Sequence, residues 1–541
     1  MPQTSNAHPL AFGAQLPSLR AMTGTSLRRD AGKTGLLLAS IGGMIGSGWL
    51  FGALNAAKMA GPAALISWVL GAAAVALLAF VYAELSTLFP RPGAVIAFPL
   101  IAFGPLAAEI MAYVNFLAYC AVAPIEALAV TNYAANLWPA LQAANATLTP
   151  LGLAAALALM VLFTLLNLGA LRLVLRFNNA LTAWKLAIPA LTVAALAATR
   201  FHPANFTAHG FAPFGAGGIV TAISGSGIIF TFLGFRQAIE LAGETANPAK
   251  SLPFAILGSV ALCALLYLGL QAAFIGALPA AALAHGWSAL SFPGIEGPFA
   301  GLAAALSLPW LAALLYLDAA LSPAGAGIIY NTTAARVIYA ISQAGMLPRA
   351  FTATSRQGAP IPALILSFLA GICFLAPLPS WQHLVATLSS IGVLAYGIGP
   401  VVLVCLRATL PESQTPRPFR LFAYQITAPA AFIVSNLIVF WAGAGVANTI
   451  FPLILAATLA SLGYRAATQK PLAPLKPRQA AWLIPHLGSL WLITALGPQH
   501  GPHLLTQTTG AAAIALTSLA TLALARRSAL RPPDTGLAPA S

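Results

Sequence analysis

Residues 41–52 read "IGGMIGSGWLFG", five glycines in twelve positions inside a stretch apolar enough to cross a membrane. Glycine weakens a helix more than any residue except proline, so this run predicts a helix interrupted partway across. A second such run, "SGSGIIFTFLGF", occupies 224–235. Where a membrane helix unwinds, its freed N–H and C=O groups are tolerated only against protein or a polar cavity. Broken helices at matching positions of two inverted halves point to a transport site near the bilayer midplane. The competing reading is that the glycines only let helices pack closely, as small residues do in membranes.

Around these runs, apolar stretches recur from Thr34 almost to the C-terminus, about fourteen of them, each long enough to span the roughly 30 Å hydrocarbon layer. The chain of 541 residues is 59% hydrophobic and 6% charged, with a mean hydropathy of +0.87, which excludes an ordinary soluble domain. The first ten spans divide into two sets of five, each opening on a glycine-interrupted helix. The expected fold is an all-α polytopic membrane protein: a five-plus-five inverted-repeat transporter core with broken helices 1 and 6, plus about four further helices. The expected division is a cytoplasmic tail over 1–33, the ten-helix core over 34–410, helices 11 and 12 over 411–465, and an inner linker, helices 13 and 14 and a short tail over 466–541. The tail over 1–33 lacks the apolar core of a signal peptide.

Lys+Arg number 25 against 10 Asp+Glu, a net charge of +15. The basic residues collect in alternate loops, among them Arg28, Arg29, Lys33, Arg336, Arg407, Arg417 and Arg465. That is the positive-inside pattern with both termini cytoplasmic, so the excess reports orientation in a lipid bilayer and not a nucleic-acid partner. Cys120, Cys263, Cys373 and Cys405 fall in or beside spans and read as small apolar packing residues.

The outer half-helix beginning near Gly48 offers N–H groups and a positive dipole end to a carboxylate, while carbonyls of Met44, Phe232 and Leu233 can accept from an ammonium. Together these suit a zwitterion. The same stretches carry a resemblance. "IGSGWLFG", "VYAELSTLFPRPG" (81–93), "VAPIEALAV" (122–130), "NNALTAWKLAIPALT" (178–192), "FLGFRQAIELAGETANPAKSLP" (232–253) and "ARVIYAISQAGMLPRAF" (335–351) resemble, in order, the amino acid, polyamine and organocation (APC) permeases. Shorter strings, "GFAPFG" (210–215), "HGW" (285–287), "LDAALSPAGAG" (317–327) and "PSW" (379–381), look like those of the bacterial aspartate-proton symporter type. The resemblance implies alternating access, with substrate held by Gly46, Ser47 and Gly48 in helix 1 and by Phe232, Leu233 and Gly234, where it puts the helix 6 break. Phe230 stands where relatives close an aromatic over substrate.

Intramembrane charges are expensive and mark pathways. Lys185 lies deep in the fifth span. By the resemblance it replaces a bound sodium, reaching between the helix 1 break and a helix 8 hydroxyl, here Ser322, and a buried lysine can release and regain a proton. Glu126 and Asp318 fall near the middle of the third and eighth spans, where either could pair with Lys185. Glu84, Glu240 and Glu244 sit near inner helix ends as gate, cap or ion-pair residues. Arg236 departs from the family. It stands at a half-helix start that already favours anions, and so invites either a substrate carboxylate or Glu240 one turn on.

The expected function is secondary active transport of an amino acid, proton-coupled, for an acidic substrate such as aspartate or glutamate, in the bacterial inner (plasma) membrane. An exchanger of the same fold is the alternative, with a channel or nutrient sensor more remote. No enzyme activity, cofactor or metal is expected. There is no "GxxxxGK[ST]" phosphate loop, and His500 and His503 make only a weak metal pattern. Oligomeric state is not legible.

Overall fold

The computed structural model describes residues 31–91, 94–143, 147–169, 171–207, 209–290, 292, 297–343, 347–355, 358–375, 380–410, 412–413, 415–469, 473–499 and 501–530, with backbone alone at 94, 169 and 171–179. Arg28, Arg29, His500 and nearly all of the expected tail lie outside the described residues.

Among the described residues the regular structure is helical, with two isolated β-bridges, Ala31 to Thr245 and Gln142 to Leu148. The first expected span is cut in two: α1 (Lys33–Met44) stops at Ile45, and α2 (Gly48–Ala60) starts after Ser47. α3 (Ala64–Leu88) follows a Gly61–Ala63 turn in which Gly61 has φ +61°, a conformation that needs glycine. Next come α4 (Ala94–Phe103), α5 (Pro105–Cys120), α6 (Val122–Ala134), α7 (Pro150–Gly169) and α8 (Leu171–Thr199). Pro105 opens α5 in the first turn, where its missing N–H costs nothing.

The sixth expected span is also broken, in a different place from the sequence reading. α9 (Gly215–Gly225) meets α10 (Ile228–Phe232) at a 47° bend, and Gly227, at φ +100°, is the left-handed residue that makes it. Phe232, Leu233 and Gly234, where the break was expected, instead lead into a tight Leu233–Phe235 turn before α11 (Arg236–Glu240). α12 (Pro248–Ala277), α13 (Pro298–Ala305), α14 (Pro309–Gln343), α15 (Ile361–Leu375) and α16 (Trp381–Thr409) complete the expected core. Beyond it lie α17 (Tyr424–Ala442), α18 (Ala444–Ala467), α19 (Pro477–Ala480), α20 (Leu483–Ala495) and α21 (Gln507–Ser528).

Among the described residues ten helical stretches are long and apolar enough to cross a membrane, or eleven with the bent pair counted as one. The difference from about fourteen has physical causes. The first and sixth spans are interrupted, and the ninth and thirteenth are α15 and α20, of 15 and 13 residues.

At the end of the bundle that carries Lys33, Arg407 and Arg465, a buried carboxylate gathers four donors. Glu84 accepts from Arg407 Nε (2.8 Å) and Nη2 (2.7 Å), Arg417 Nη1 (2.9 Å) and the Leu421 N–H (2.7 Å). This joins α3 to the end of α16 and to the loop before α17. At the same end the α4–α5 corner is covered by late parts of the chain. Phe103 packs on Trp482 at 5.0 Å, the Lys476 stem lies over Gly104, and the Leu530 N–H donates to the Ala102 carbonyl (2.9 Å). Glu109 on α5 accepts from Ser461 and Tyr113.

Candidate functional site

The first break lies against the Leu233–Phe235 turn that follows the second, and glycine is what lets it. A Cβ on Gly234 would run into the backbone of Gly43 and Met44, and one on Gly43 would come within 2.8 Å of Gln237. The contact is stitched by Ser40, whose Oγ donates to the Phe235 carbonyl (3.2 Å) and accepts from the Ala238 N–H (3.3 Å). For Gly43 and Gly234 close packing is therefore the right reading. Gly46 and Gly48 differ: they line the break itself, and Cβ atoms there would strike Glu126 Oε1 and, at 2.5 Å, Thr231 Cγ2 beside the Phe230 ring.

Glu126, on α6, lies fully inside the bundle. Its Oε2 accepts from the Ser47 N–H at 2.9 Å. One of the amides expected to meet a substrate carboxylate thus already meets a carboxylate. The Ser47 hydroxyl accepts from Trp381 Nε1 (3.0 Å) on α16. Phe230 stands edge-on to the same indole, with ring centres 6.3 Å apart, so an aromatic wall flanks the break where one was expected.

The expected ammonium acceptors are partly engaged. Tyr267 on α12 donates to the Met44 carbonyl (3.1 Å) and also reaches the Thr231 carbonyl (3.4 Å), bridging the first break and α10. Tyr396 donates to the Leu233 carbonyl. Each carbonyl keeps a second lone pair.

Lys185 is buried and reaches the first break, its Nζ donating to the Gly42 carbonyl at 3.0 Å. The expected partner Ser322 is not its partner. Ser322 donates to Asp318 Oδ1 (2.6 Å), one turn away on α14, because that charged acceptor is in reach of its own helix. Among the described residues neither Glu126 nor Asp318 forms an ion pair with Lys185. Glycine at 325 leaves room for Leu181, whose Cδ2 would lie 2.6 Å from a Cβ there, while Lys185 Nζ would be in ordinary contact with it at 3.4 Å.

Arg236 also departs from expectation. It makes no ion pair with Glu240 among the described residues. Glu240 instead accepts from the Tyr119 hydroxyl (2.8 Å). The buried guanidinium lies 3.6 Å from the centre of the Tyr119 ring, with Tyr396 and Tyr330 at 5.3 and 5.8 Å. Its hydrogen bond from Nη1 to Asn115 Oδ1 is long at 3.4 Å, and among the described residues its Nε has no partner. Aromatic faces offset part of the cost of burying a cation. They leave its forked donors without the carboxylate that such a fork matches.

Tyr267, Tyr396, Tyr119 and Trp381 were not singled out from sequence. With 28 Phe, 11 Tyr and 10 Trp in the chain, an aromatic in a span carries little signal. Only a hydroxyl or indole N–H facing a break would have marked them, and that needs the fold.

Comparison with known proteins fits this geometry. Residues 34–466 match the family described as amino acid permease. The glutamate/serine transporter AimA of Bacillus subtilis is 35% identical over 479 residues, 87% of this chain and 88% of that one. The aspartate-proton symporter of the same organism is 37% identical over 410 residues, 75% and 78% of the two chains. The branched-chain amino acid permease BcaP, also from that organism, is 29% identical over 413 residues, 73% and 84%.

Proposed function

The chain belongs to the amino acid permease family and is an integral, multi-pass protein of the plasma membrane, and from that premise we propose that it is a proton-coupled symporter of acidic amino acids. Its transport core is residues 34–410, two inverted sets of five spans working by alternating access, with both termini cytoplasmic. The interrupted helices opening each set support this reading. Residues 411–465 and 466–541 add helices 11 to 14.

The observation that carries the coupling is the Glu126 carboxylate on the Ser47 amide. An ionised Glu126 and a substrate carboxylate compete for the same donors. Protonating Glu126 removes its charge, weakens its hold on the amide and lets the substrate carboxylate take the dipole end of α2. By linkage, substrate in turn favours the protonated carrier. Gly46, Ser47 and Gly48 hold the carboxylate, and the carbonyls of Met44, Phe232 and Leu233 the ammonium. Phe230 closes the side, and Gly234 lets the Leu233–Phe235 turn lie against the first break. Lys185 holds the Gly42 carbonyl where a metal ion would otherwise be needed, with Asp318 and Ser322 beyond it.

Arg236 supplies the preference for an acidic side chain, because among the described residues its forked donors make no ion pair with a carboxylate. The names of two relatives, a glutamate/serine transporter and an aspartate-proton symporter, agree with that class.

Uptake of labelled aspartate into proteoliposomes, with and without an inward proton gradient, tests the reading. Accumulation should require the gradient, whereas an exchanger would need counter-substrate inside and no gradient. Lys185→Ala should lose gradient-driven accumulation and keep some counterflow. If the variant still accumulates more as external pH falls, Lys185 is not part of the coupling. In competition assays Arg236→Gln should lose the preference for aspartate and glutamate over asparagine and serine roughly tenfold, and Arg236→Lys should lose part of it. Equal weakening of every competitor would make Arg236 a structural residue.

A further inference from the structure

Ser47 stands at the first break with its hydroxyl withdrawn from both of a serine's usual local uses. It directly precedes the half-helix α2, where a serine oxygen ordinarily caps the first-turn N–H groups from an extended backbone. Here the backbone is helical instead, φ −73° and ψ −16°, and among the described residues the side chain makes no cap hydrogen bond. Nor, among those residues, does the hydroxyl donate three or four positions back along the chain, as Ser259 and Ser435 do. The Met44 and Gly43 carbonyls at those positions take the Tyr267 and Tyr330 hydroxyls (3.1 and 3.4 Å).

What holds the Ser47 hydroxyl is Trp381, whose Nε1 donates to it at 3.0 Å. An indole N–H can only donate, whereas a hydroxyl has one proton and two lone pairs. The bond therefore uses the serine oxygen and leaves its proton to be given elsewhere. The indole is not free to turn away. It opens α16, is buried, and lies against Phe51 of α2 with ring centres 4.8 Å apart and edge-on to Phe230 of α10 at 6.3 Å. At the second break, a Cβ on Gly227 would sit 3.0 Å from its Cη2. One side chain from α16 thus touches Ser47 at the first break and the Gly227 bend at the second.

We propose that Trp381 is a positioning residue for the amino acid's α-carboxylate. Its N–H fixes the Ser47 hydroxyl as a donor, so that the hydroxyl and the amide of Ser47 make a two-pronged seat for a carboxylate, with the amide held by Glu126 until substrate takes it. The inference rests on the reading that the first break holds the substrate carboxylate, and it needs neither proton coupling nor an acidic side chain. Without the indole N–H, the hydroxyl turns back and donates to the Met44 carbonyl, which keeps a second lone pair. The seat then loses a donor and the substrate ammonium loses an acceptor.

The test measures KM and maximal rate for uptake of labelled aspartate and, separately, labelled serine in proteoliposomes carrying wild type, Trp381→Phe, Trp381→His, Ser47→Ala or the Trp381→Phe/Ser47→Ala double variant. Both substrates carry the same α-carboxylate. Trp381→Phe keeps a ring against Phe51 and Phe230 and removes the N–H. Its KM should rise roughly tenfold for both substrates, the order expected for one hydrogen bond to a charged group. The maximal rate should change little, as when binding is lost equally in ground and transition states. Trp381→His, which restores a ring N–H, should recover part of the loss. The double variant should be no worse than Ser47→Ala, because with the hydroxyl gone the indole has nothing to position. A wild-type KM in Trp381→Phe, losses that multiply in the double variant, or a maximal rate that collapses at unchanged KM would overturn the inference and leave the proposed function standing. A wild type that takes up serine but not aspartate would sink the acidic preference alone, and the comparison would proceed with serine. Uptake of neither by wild type would overturn the inference together with the proposed function.

Discussion

Protein carrying Gly46→Leu or Gly48→Leu should be made and inserted but show no amino-acid-induced rise in unfolding temperature in detergent, with affinity weakened roughly 100-fold or more. Even a single added carbon at Gly46 runs into Glu126 Oε1, and at Gly48 into Thr231 and Phe230. A leucine therefore fills the place where a ligand's carboxylate meets backbone N–H groups. The extra bulk should also destabilise the protein by about 1–3 kcal/mol, so binding is judged on monodisperse material. Gly445→Ala is the control. It too replaces a helical glycine, but nothing lies within 4 Å of the added carbon, and the ligand-induced stabilisation should be unchanged. Full stabilisation in both leucine variants would reduce Gly46 and Gly48 to packing residues, as Gly43 and Gly234 already are.

The largest effect on stability is expected at Glu84. Glu84→Ala leaves Arg417 buried with its charge unmatched and Arg407 without either of its side-chain hydrogen bonds to the carboxylate. Removing one partner of a buried ion pair costs about 3–5 kcal/mol, and the Leu421 N–H loses its acceptor as well. The unfolding temperature in detergent should fall sharply. Glu84→Gln keeps the shape and one acceptor oxygen and should fall less. Glu84→Ala with Arg417→Met, which removes the unmatched charge, should recover part of the loss, so the two changes should not be additive. An unfolding temperature of Glu84→Ala equal to that of wild type would show that the two arginines are neutralised some other way.

What was legible in the sequence follows the reach of each signal. Glycine runs at 41–52 and 224–235 announce interrupted helices because a backbone cannot hide five missing side chains in the first run and three in the second, and both interruptions are present. The point of the second was misplaced. The sequence reading favoured Phe232–Gly234, where glycine serves a backbone crossing, over Gly227, whose left-handed conformation makes the bend. Lys185, Glu126 and Asp318 stood out because charge inside a membrane demands a reason. Their partners did not, since pairing depends on which group reaches first: Ser322 finds Asp318 on its own helix, and Lys185 finds a carbonyl. The aromatic surroundings of Arg236 were hidden for the same reason, being assembled from α5, α14 and α16.

The Leu530–Ala102 hydrogen bond and the Trp482–Phe103 contact bear on how the protein is made. The corner between α4 and α5 leaves the ribosome early, but the residues that seal it are translated much later, a delay of roughly tens of seconds at about 5–20 residues per second. Glu84 likewise waits for Arg407 and Arg417. Until then an open carbonyl, an uncovered phenylalanine and a lone carboxylate stand at one end of the nascent bundle, where chaperones and proteases can find them. A ribosome that stalls within the last two long helices releases a chain with that corner still open.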